Sequence, residues 1–361
     1  MLTSHLHTLP RVIVTGLIAI VLVSCSGTTT TTAPTTPADT AAPTAQKTEE
    51  TLVIYSGRSE ALLKPVITAF EKSNPTIKVQ LKSGKNNELA AAILEEQANP
   101  QADVFITTDM LATINLAKQQ ALMPYQIPGT DAIPSEYKAA DATWTSITTR
   151  ARVIMYNRDL VNKSDVPTTM LELTDPKWKG KIAAANSSNG SFQAQVAVMK
   201  QLLGDTQTTA WLTGLVANDV QFFGSHSDVR KAVGSGEFAL GLVNHYYYEL
   251  QAHEQSDNNV GISYPDAKAG QMGVILNTTA VGIIKGAPHA QAAQLFSAFL
   301  FLPETQSLFA KLNYEYPIIP GVATSEGLTP LDSIKTVQID MQSVATNAAD
   351  AVQMMQSAGI P

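Results

Sequence analysis

Short apolar runs alternate with amphipathic stretches along the chain from Thr51 onward. The run Leu52–Tyr55 predicts a strand, and the segment that follows it to Lys72 has apolar residues at helical spacing. A second strand at Ile77–Leu81 and a second helix at Glu88–Glu96 repeat this order. Alternation of this kind is typical of an α/β fold with mainly parallel sheets flanked by helices.

Two longer strand-like segments interrupt the alternation, one from Trp144 to Tyr156 and the other from Gly273 to Ile284. Each can pass from one half of the protein to the other, and 361 residues exceed the usual size of a single core. We therefore predict two lobes joined by two hinge strands, with a ligand cleft between them that closes by hinge motion. The predicted boundaries are residues 51–146 plus 277–316 for lobe 1 and 147–276 plus 317–361 for lobe 2.

The first 25 residues are typical of a lipoprotein signal peptide. The apolar segment Val12–Val23 is too short to span a bilayer, and basic residues precede it. The only cysteine, Cys25, ends the sequence Leu22-Val-Ser-Cys25, which resembles the lipobox where bacterial lipoproteins are cleaved and lipidated. The alternative is an ordinary signal with an incidental cysteine. Residues 26–50, rich in Thr, Pro and Ala, predict a disordered tether.

Charge and motifs exclude several classes of function. The net charge of −7 disfavours nucleic acid or an anionic membrane surface as partner and is compatible with holding a cation. The chain contains no HExxH zinc motif, no G-x-S-x-G nucleophile elbow and no phosphate-loop motif. With the lone cysteine assigned to the lipobox, a thiol nucleophile is also lacking. We therefore predict a binding protein that is not an enzyme.

Two glycine- and serine-rich turns open helices and could face the cleft. One is Ser56-Gly57-Arg58-Ser59, and the other spans residues 186–191. Free amides at a helix N-terminus attract anions, and the planar guanidinium of Arg58 suits carbonate, phosphate or carboxylate. Most such turns bind nothing, however, and an arginine near a strand end usually lies in solvent.

A run of three tyrosines, Tyr246 to Tyr248, follows the apolar strand Phe238–Val243. Neighbouring side chains of a strand point to opposite faces, so two of them converge only where the backbone breaks. Phenolate oxygen is a hard ligand suited to ferric iron, although most tyrosine runs simply pack their rings. A trivalent cation would favour the deprotonated phenols. A bidentate anion held by Arg58 and the 187–191 turn would offset the remaining charge.

Seven motifs give the chain after residue 50 a family likeness. They are Tyr55-Ser-Gly-Arg58, Asp103-Val-Phe105, Thr149-Arg-Ala-Arg-Val153, Asp175-Pro-Lys-Trp-Lys-Gly-Lys181, Gly236-Glu237, Asn244-His-Tyr-Tyr247 and Asn313-Tyr-Glu-Tyr-Pro317. On these residues the chain resembles the periplasmic ferric-iron-binding proteins of bacterial ABC importers. These are type II periplasmic solute-binding proteins with a two-lobed Venus-flytrap fold.

The resemblance implies a set of site residues. Tyr246 and Tyr247 match the family's paired iron ligands, and Arg58 matches an arginine that holds a synergistic carbonate in some members. The turn that contacts the synergistic anion is matched by Ser188, Asn189, Gly190 and Ser191. Asn244 and His226 fall where other members have asparagines near that anion.

The chain also departs from the family pattern. Ser59 stands where many members have a histidine ligand, and Phe192 stands in place of a third tyrosine. Thr108 replaces an acidic ligand, with Asp109 one residue later. The remaining iron positions would fall to the anion, to water, or to Asp109 or His226. Tyr55 is a further candidate for lining the cleft, whereas Tyr248 is expected to pack or to lie at its rim.

The resemblance implies a monomeric, lipid-anchored receptor of the cell envelope that captures Fe³⁺ with a synergistic anion such as carbonate. It would deliver the iron to an ABC permease in the cytoplasmic membrane and touch the membrane only through its lipid. The alternative keeps the fold and changes the ligand to an oxyanion or a small organic anion such as a phosphonate. Arg58 suits that alternative, and the tyrosine pair speaks against it.

Overall fold

The computed structural model describes residues 49–339 and 341–361, without the side chains of residues 341 and 342. The predicted signal peptide, its Cys25 and the tether as far as residue 48 lie outside the described residues. The predicted tether is one residue too long, because Glu50 already pairs with Ile77 in the sheet. No helix among the described residues is long and apolar enough to cross a membrane.

Eleven strands are described. They are β1 (Glu50–Ser56), β2 (Ile77–Ser83), β3 (Val104–Ile106), β4 (Leu122–Met123), β5 (Thr145–Asn157), β6 (Ile182–Ala185), β7 (Gln221–Phe223), β8 (Leu240–Asn244), β9 (Val260–Ser263), β10 (Leu276–Ile284) and β11 (Tyr316–Pro317).

Ten α-helices accompany them in the described part of the chain. They are α1 (Glu60–Ser73), α2 (Asn86–Glu95), α3 (Met110–Lys118), α4 (Gly190–Ala217, kinked at Gly204), α5 (His226–Gly234), α6 (His245–Ala252), α7 (Ala290–Phe299), α8 (Pro303–Asn313), α9 (Met341–Thr346) and α10 (Ala348–Ser357).

The strands form one mixed sheet in the order β2-β1-β3-β10-β5-β8-β6-β7. We call β2, β1 and β3 the first flank of the sheet and β8, β6 and β7 the second flank. The strands within each flank pair parallel, as predicted, whereas β5 and β10 pair antiparallel with their neighbours. The first half of β5, as far as Ala151, pairs with β10, and its second half, from Arg152, pairs with β8. β5 is therefore shared by both flanks, as expected of a predicted hinge strand.

The second predicted hinge strand is shorter than expected. β10 begins at Leu276 instead of Gly273, and it pairs only with β3, β4 and the first half of β5. The backbone at Gly273 has a φ of 109° and packs against Thr336 and Val337, which breaks the strand there. The exact lobe boundaries remain a prediction.

Helices follow the parallel strands, and the N-termini of α2, α3 and α4 lie close together, since Asn86, Asp109 and Gly190 are in contact. Asp109 caps α3, because its carboxylate accepts hydrogen bonds from the amides of Leu111 and Ala112 at 3.1 and 3.3 Å. Ser59 precedes α1 in an extended conformation, but its hydroxyl makes no capping hydrogen bond. β8 runs directly into α6 without an intervening turn.

Gln306 on α8 ties the start of β5 to the segment after β11. Its side-chain amide donates to the carbonyl oxygens of Ile147 and Leu300 at 3.0 and 2.9 Å and accepts from the amide of Ile318 at 2.9 Å. The side chain is completely buried. All three backbone groups therefore depend on one amide.

Gln306→Met should lower the free energy of unfolding by about 2–4 kcal/mol, because it leaves buried backbone groups without partners. Urea unfolding followed by circular dichroism measures this loss. Gln291→Met on the exposed face of α7 is the matched control and should stay close to wild type. Equal stability of the two variants would contradict the role given to Gln306.

Candidate functional site

Tyr246 and Tyr247 lie in the first turn of α6 and face each other. Their ring centroids are 4.2 Å apart with planes inclined by 32°. Successive helical residues are separated by about 100°, so neighbouring phenols can converge where a strand would have turned them apart. The sequence correctly required a backbone break, but the predicted turn is the start of a helix.

The phenol of Tyr247 is held in its neutral form. Burial raises its pKa well above the ordinary value, and the adjacent Tyr246 raises it further. The charges of Arg150 and Arg58 act in the opposite direction. A cation bound to this oxygen must therefore displace a proton.

Three arginines converge on the tyrosine pair. Arg150 and Arg152 lie two residues apart on β5, so they share one face of the strand, and Arg58 follows β1. All three are at most 2% exposed. Within the described residues, the Nε and Nη2 groups of Arg58, the Nε of Arg150 and the Nη2 of Arg152 have no hydrogen-bond acceptor. Buried cationic donors without partners are costly, which favours an anion at this place.

Arg152 gathers the polar groups beside the phenols. Its Nη1 donates to Asn244 at 3.0 Å and to Nε2 of His226 at 3.2 Å, and its Nε donates to Gln195 at 2.9 Å. Burial lowers its pKa to about 9 against the influence of both phenols, so it remains charged at neutral pH. Burial and the nearby arginines lower the pKa of His226 well below its ordinary value, so this ring is a neutral acceptor.

Arg58 is only partly available to a ligand. Its Nη1 donates to Glu315 at 3.0 Å and to Thr279 at 2.9 Å, and Thr148 donates to the other carboxylate oxygen at 2.8 Å. Burial alone would raise the pKa of Glu315, but the charges of Arg58 and Arg150 hold it below the ordinary value. One edge of the Arg58 guanidinium is thus fixed by Glu315, and the other edge is free.

The predicted anion turn contributes one side chain to this cluster. Ser191 Oγ accepts from Asn277 at 2.8 Å and from Asn244 at 3.3 Å, so its own proton is free to donate elsewhere. Ser188 bonds through its hydroxyl to Asn186 at 2.7 Å and is exposed, and Asn189 caps α4 by accepting from the amide of Phe192 at 3.1 Å. These last two side chains serve the turn itself.

The remaining predicted residues are placed differently. Asp109 and Thr108 lie beside Asn86, whose amide donates to both side chains, and Asp109 adjoins Gly190. Ser59 is exposed at the start of α1. Tyr55 does not join the cluster, because its hydroxyl donates to Glu96 beyond the far end of α2, at 3.1 Å.

Sequence reasoning missed Arg150, Arg152, Glu315, Asn277 and Asn86. A signal existed for the first two, because charged residues at alternate positions of one predicted strand point to the same face. The others come from segments far apart in the chain, so only the fold brings them together. No three His, Cys, Asp or Glu side chains gather as a metal group in the described ranges.

Comparisons with known proteins find relatives of this chain over most of its length. Residues 66–335 match the family described as bacterial extracellular solute-binding protein. The chain is 33% identical over 291 residues to Iron uptake protein A1 of Synechocystis sp., covering 78% of this chain and 80% of that protein.

Solved structures are also similar to this chain over most of its length. Iron-bound HitA from Pseudomonas aeruginosa is similar with a TM-score of 0.80 and 27% identity, over 86% of this chain and 99% of that one. Trichodesmium IdiA (FutA), in complex with iron and citrate, is similar with a TM-score of 0.75 and 30% identity, over 86% and 100%. The predicted two-lobed α/β fold is thereby confirmed.

Burial makes the fold sensitive to acid through His245, which stacks on Tyr316 with ring centroids 4.5 Å apart. Its Nδ1 accepts from the amide of Ala151 at 3.1 Å, so its Nε2 donates to the carbonyl of Tyr314 at 2.7 Å. Burial lowers its pKa from 6.5 to about 4. As pH falls through this window the unfolded chain takes up a proton that the folded chain refuses, so stability is lost.

The variant His245→Asn keeps a hydrogen-bond acceptor for the amide of Ala151 and removes the imidazole that takes up a proton. We expect wild-type protein to lose about 1–2 kcal/mol more stability than this variant between pH 7 and pH 5. Urea unfolding at both pH values measures the difference. His253→Asn, exposed on the same helix, should behave like wild type. An equal loss of stability between pH 7 and pH 5 in all three proteins would contradict the assignment of this loss to His245.

Proposed function

Since the chain belongs to the family of bacterial extracellular solute-binding proteins, we propose that it captures ferric iron in its cleft and delivers it to an ABC permease. Proteins similar to it bind iron according to their names, among them the iron uptake protein and iron-bound HitA described above. Tyr246 and Tyr247 are the proposed ligands. This solute-binding family is a class of non-enzymes, and the role we assign involves no reaction.

The observation that carries this proposal is the contact between the two phenols. Two phenol side chains that pack together, with ring centroids 4.2 Å apart, can supply two cis ligands to one ion once both are deprotonated. Arg150, Arg152 and Arg58 lower the cost of forming phenolates beside them, since opposite charges attract strongly in a buried site. A neutral ligand would gain nothing from this arrangement.

Charge balance adds a synergistic anion to the proposal. Ferric iron brings three positive charges and removes two phenolic protons, so the cluster becomes more positive than before. Its acidic members are Glu315 and Asp109, which face three guanidinium groups. An anion with two negative charges, such as carbonate, would complete the iron coordination and accept from the free edges of the arginines. We propose Arg58, Ser191, Asn244 and His226 as the anion contacts. Of the other predicted contacts, Ser188 and Asn189 bond within their own turn, and Gly190 adjoins Asp109.

The cellular setting is proposed from the same family membership. A lipid on Cys25 would hold the protein at the cell envelope as a monomer, and the tether would let it reach the permease. Asp109, Thr108, Ser59 and Tyr55 were further candidates for the cleft. Of these, Asp109 and Thr108 lie beside Asn86, and Asp109 adjoins Gly190.

A second candidate ligand is an oxyanion or phosphonate bound without iron. The unpartnered arginine donors favour it. It leaves the contact between the two phenols without a purpose, because no metal would then need their oxygens.

Ferric iron with bicarbonate should colour the purified protein through charge transfer from phenolate to iron. Tyr246→Phe and Tyr247→Phe should each bleach the colour and weaken iron affinity by about a hundredfold or more, since each removes a ligand. Visible absorption and titration against a chelator measure both effects.

Tyr248→Phe is the matched control for these variants. Tyr248 is the next residue on α6, but its electrostatic partners are Glu249, Arg158 and Tyr156 and not the arginine cluster. It should keep the colour and the affinity. A colourless wild type whose melting temperature rises with sulfate or 2-aminoethylphosphonate alone would instead support the second candidate.

The anion can be tested with two variants at the buried ion pair of Arg58 and Glu315. Glu315→Gln alone leaves Arg58 charged and should keep the bicarbonate dependence of iron binding. The double variant Arg58→Gln/Glu315→Gln removes both partners of the ion pair and should reduce that dependence by about tenfold. Iron affinity with and without bicarbonate measures it. An unchanged dependence in the double variant would exclude Arg58 as an anion contact.

A further inference from the structure

Asp109 divides its two carboxylate oxygens between different elements. Oδ1 accepts from the amides of Leu111 and Ala112 and thus caps α3. Oδ2 accepts from Nδ2 of Asn86, the first residue of α2. The side chain is only 4% exposed. Capping α3 requires a single oxygen, so the second oxygen and its burial need another explanation.

Two glycines lie in close contact with Asp109 and Asn86. A Cβ on Gly190, the first residue of α4, would overlap the Asp109 carboxylate, and a Cβ on Gly57 would overlap the Asn86 amide. Neither glycine has a positive φ, since both are missing from the residues of the described part with that conformation. Their small size therefore serves close contact and not backbone freedom.

The contact joins the two flanks of the sheet. Asp109 follows β3, which pairs with β1 and β10, whereas Gly190 follows β6, which pairs with β7 and β8. A carboxylate at the N-terminus of α4 also interacts favourably with the helix dipole. Burial raises the pKa of this carboxyl, whereas the hydrogen bonds from Asn86 and the α3 amides and the charge of Arg150 on β5 act in the opposite direction.

We propose that Asp109 and Asn86 form a clasp that holds the N-terminus of α4 against those of α2 and α3. Asp109 supplies the negative charge that this helix end would otherwise take from outside the protein. The clasp fixes Ser191, the next residue of α4, whose hydroxyl meets Asn244 and Asn277. Asp109 is thus a positioning residue for the cleft. The inference goes beyond the proposed function, because it holds whichever ligand the cleft binds.

A double-mutant cycle tests the clasp. Asp109→Ser keeps a good N-cap for α3 but is too short to reach both Asn86 and Gly190. Gly190→Ala alone should force the clasp apart and speed hydrogen exchange of the amides of residues 190–193 on the order of tenfold. In the Asp109→Ser background, Gly190→Ala should slow exchange or leave it unchanged, because alanine favours a helix where there is room for it.

The control is Gly224→Ala, since Gly224 has an ordinary φ and open space around its α-carbon. In either background, Gly224→Ala should leave the amide hydrogen exchange of residues 190–193 at the rate seen without it. The clasp would be overturned if Gly190→Ala speeded exchange to the same extent in both backgrounds. It would also be overturned if the single variant Gly190→Ala exchanged at the wild-type rate.

A second readout distinguishes positioning from simple stability. If ferric iron binds, Gly190→Ala should release it to a chelator about tenfold faster in the Asp109 background and at an unchanged rate in the Asp109→Ser background. Equal acceleration in both backgrounds would contradict the clasp. Hydrogen exchange needs no metal, so failure to bind iron would count against the proposed function and leave the test of the clasp intact.

Discussion

The buried positive charge around Tyr246 and Tyr247 is the constraint on which the rest of the site depends. Three guanidinium groups without full hydrogen-bonding partners are expensive to bury. Glu315 offsets one of them, and the phenols offset the rest only when they lose their protons. Ferric iron that displaced those protons would leave the cluster more positive by one charge, so the proposed function needs an anion beside the arginines. Iron and its anion are in this view a single electrostatic unit.

The fold explains how this charge is assembled. β5 crosses both flanks of the sheet and carries Arg150 on its first half and Arg152 on its second. Arg150 reaches the carbonyl of Thr108 beyond β3, and Arg152 reaches Gln195 on α4. One strand thus presents a cation to each side of the cleft. A change in the relative position of the two flanks would alter the charge that the phenols experience.

The sequence could predict what depends on local pattern. The strand–helix alternation, the cap at Asp109 and the convergence of adjacent tyrosines at a backbone break all follow from residue spacing. Ser59 shows the limit of such reasoning, since it has the right position and residue type for a cap but makes no capping bond. Tyr55 shows another limit, because β1 buries alternate residues on opposite sides and its hydroxyl meets Glu96. Glu315 could not be foreseen at all, since it lies 257 positions from its partner Arg58.

Anomalous X-ray scattering at the iron edge, from crystals grown with ferric iron and bicarbonate, tests the central claim most directly. Our account predicts one strong peak at bonding distance from the hydroxyl oxygens of both Tyr246 and Tyr247, with an anion between the metal and the arginines. A peak bonded to other side chains, or none in crystals that contain iron by fluorescence, would contradict it.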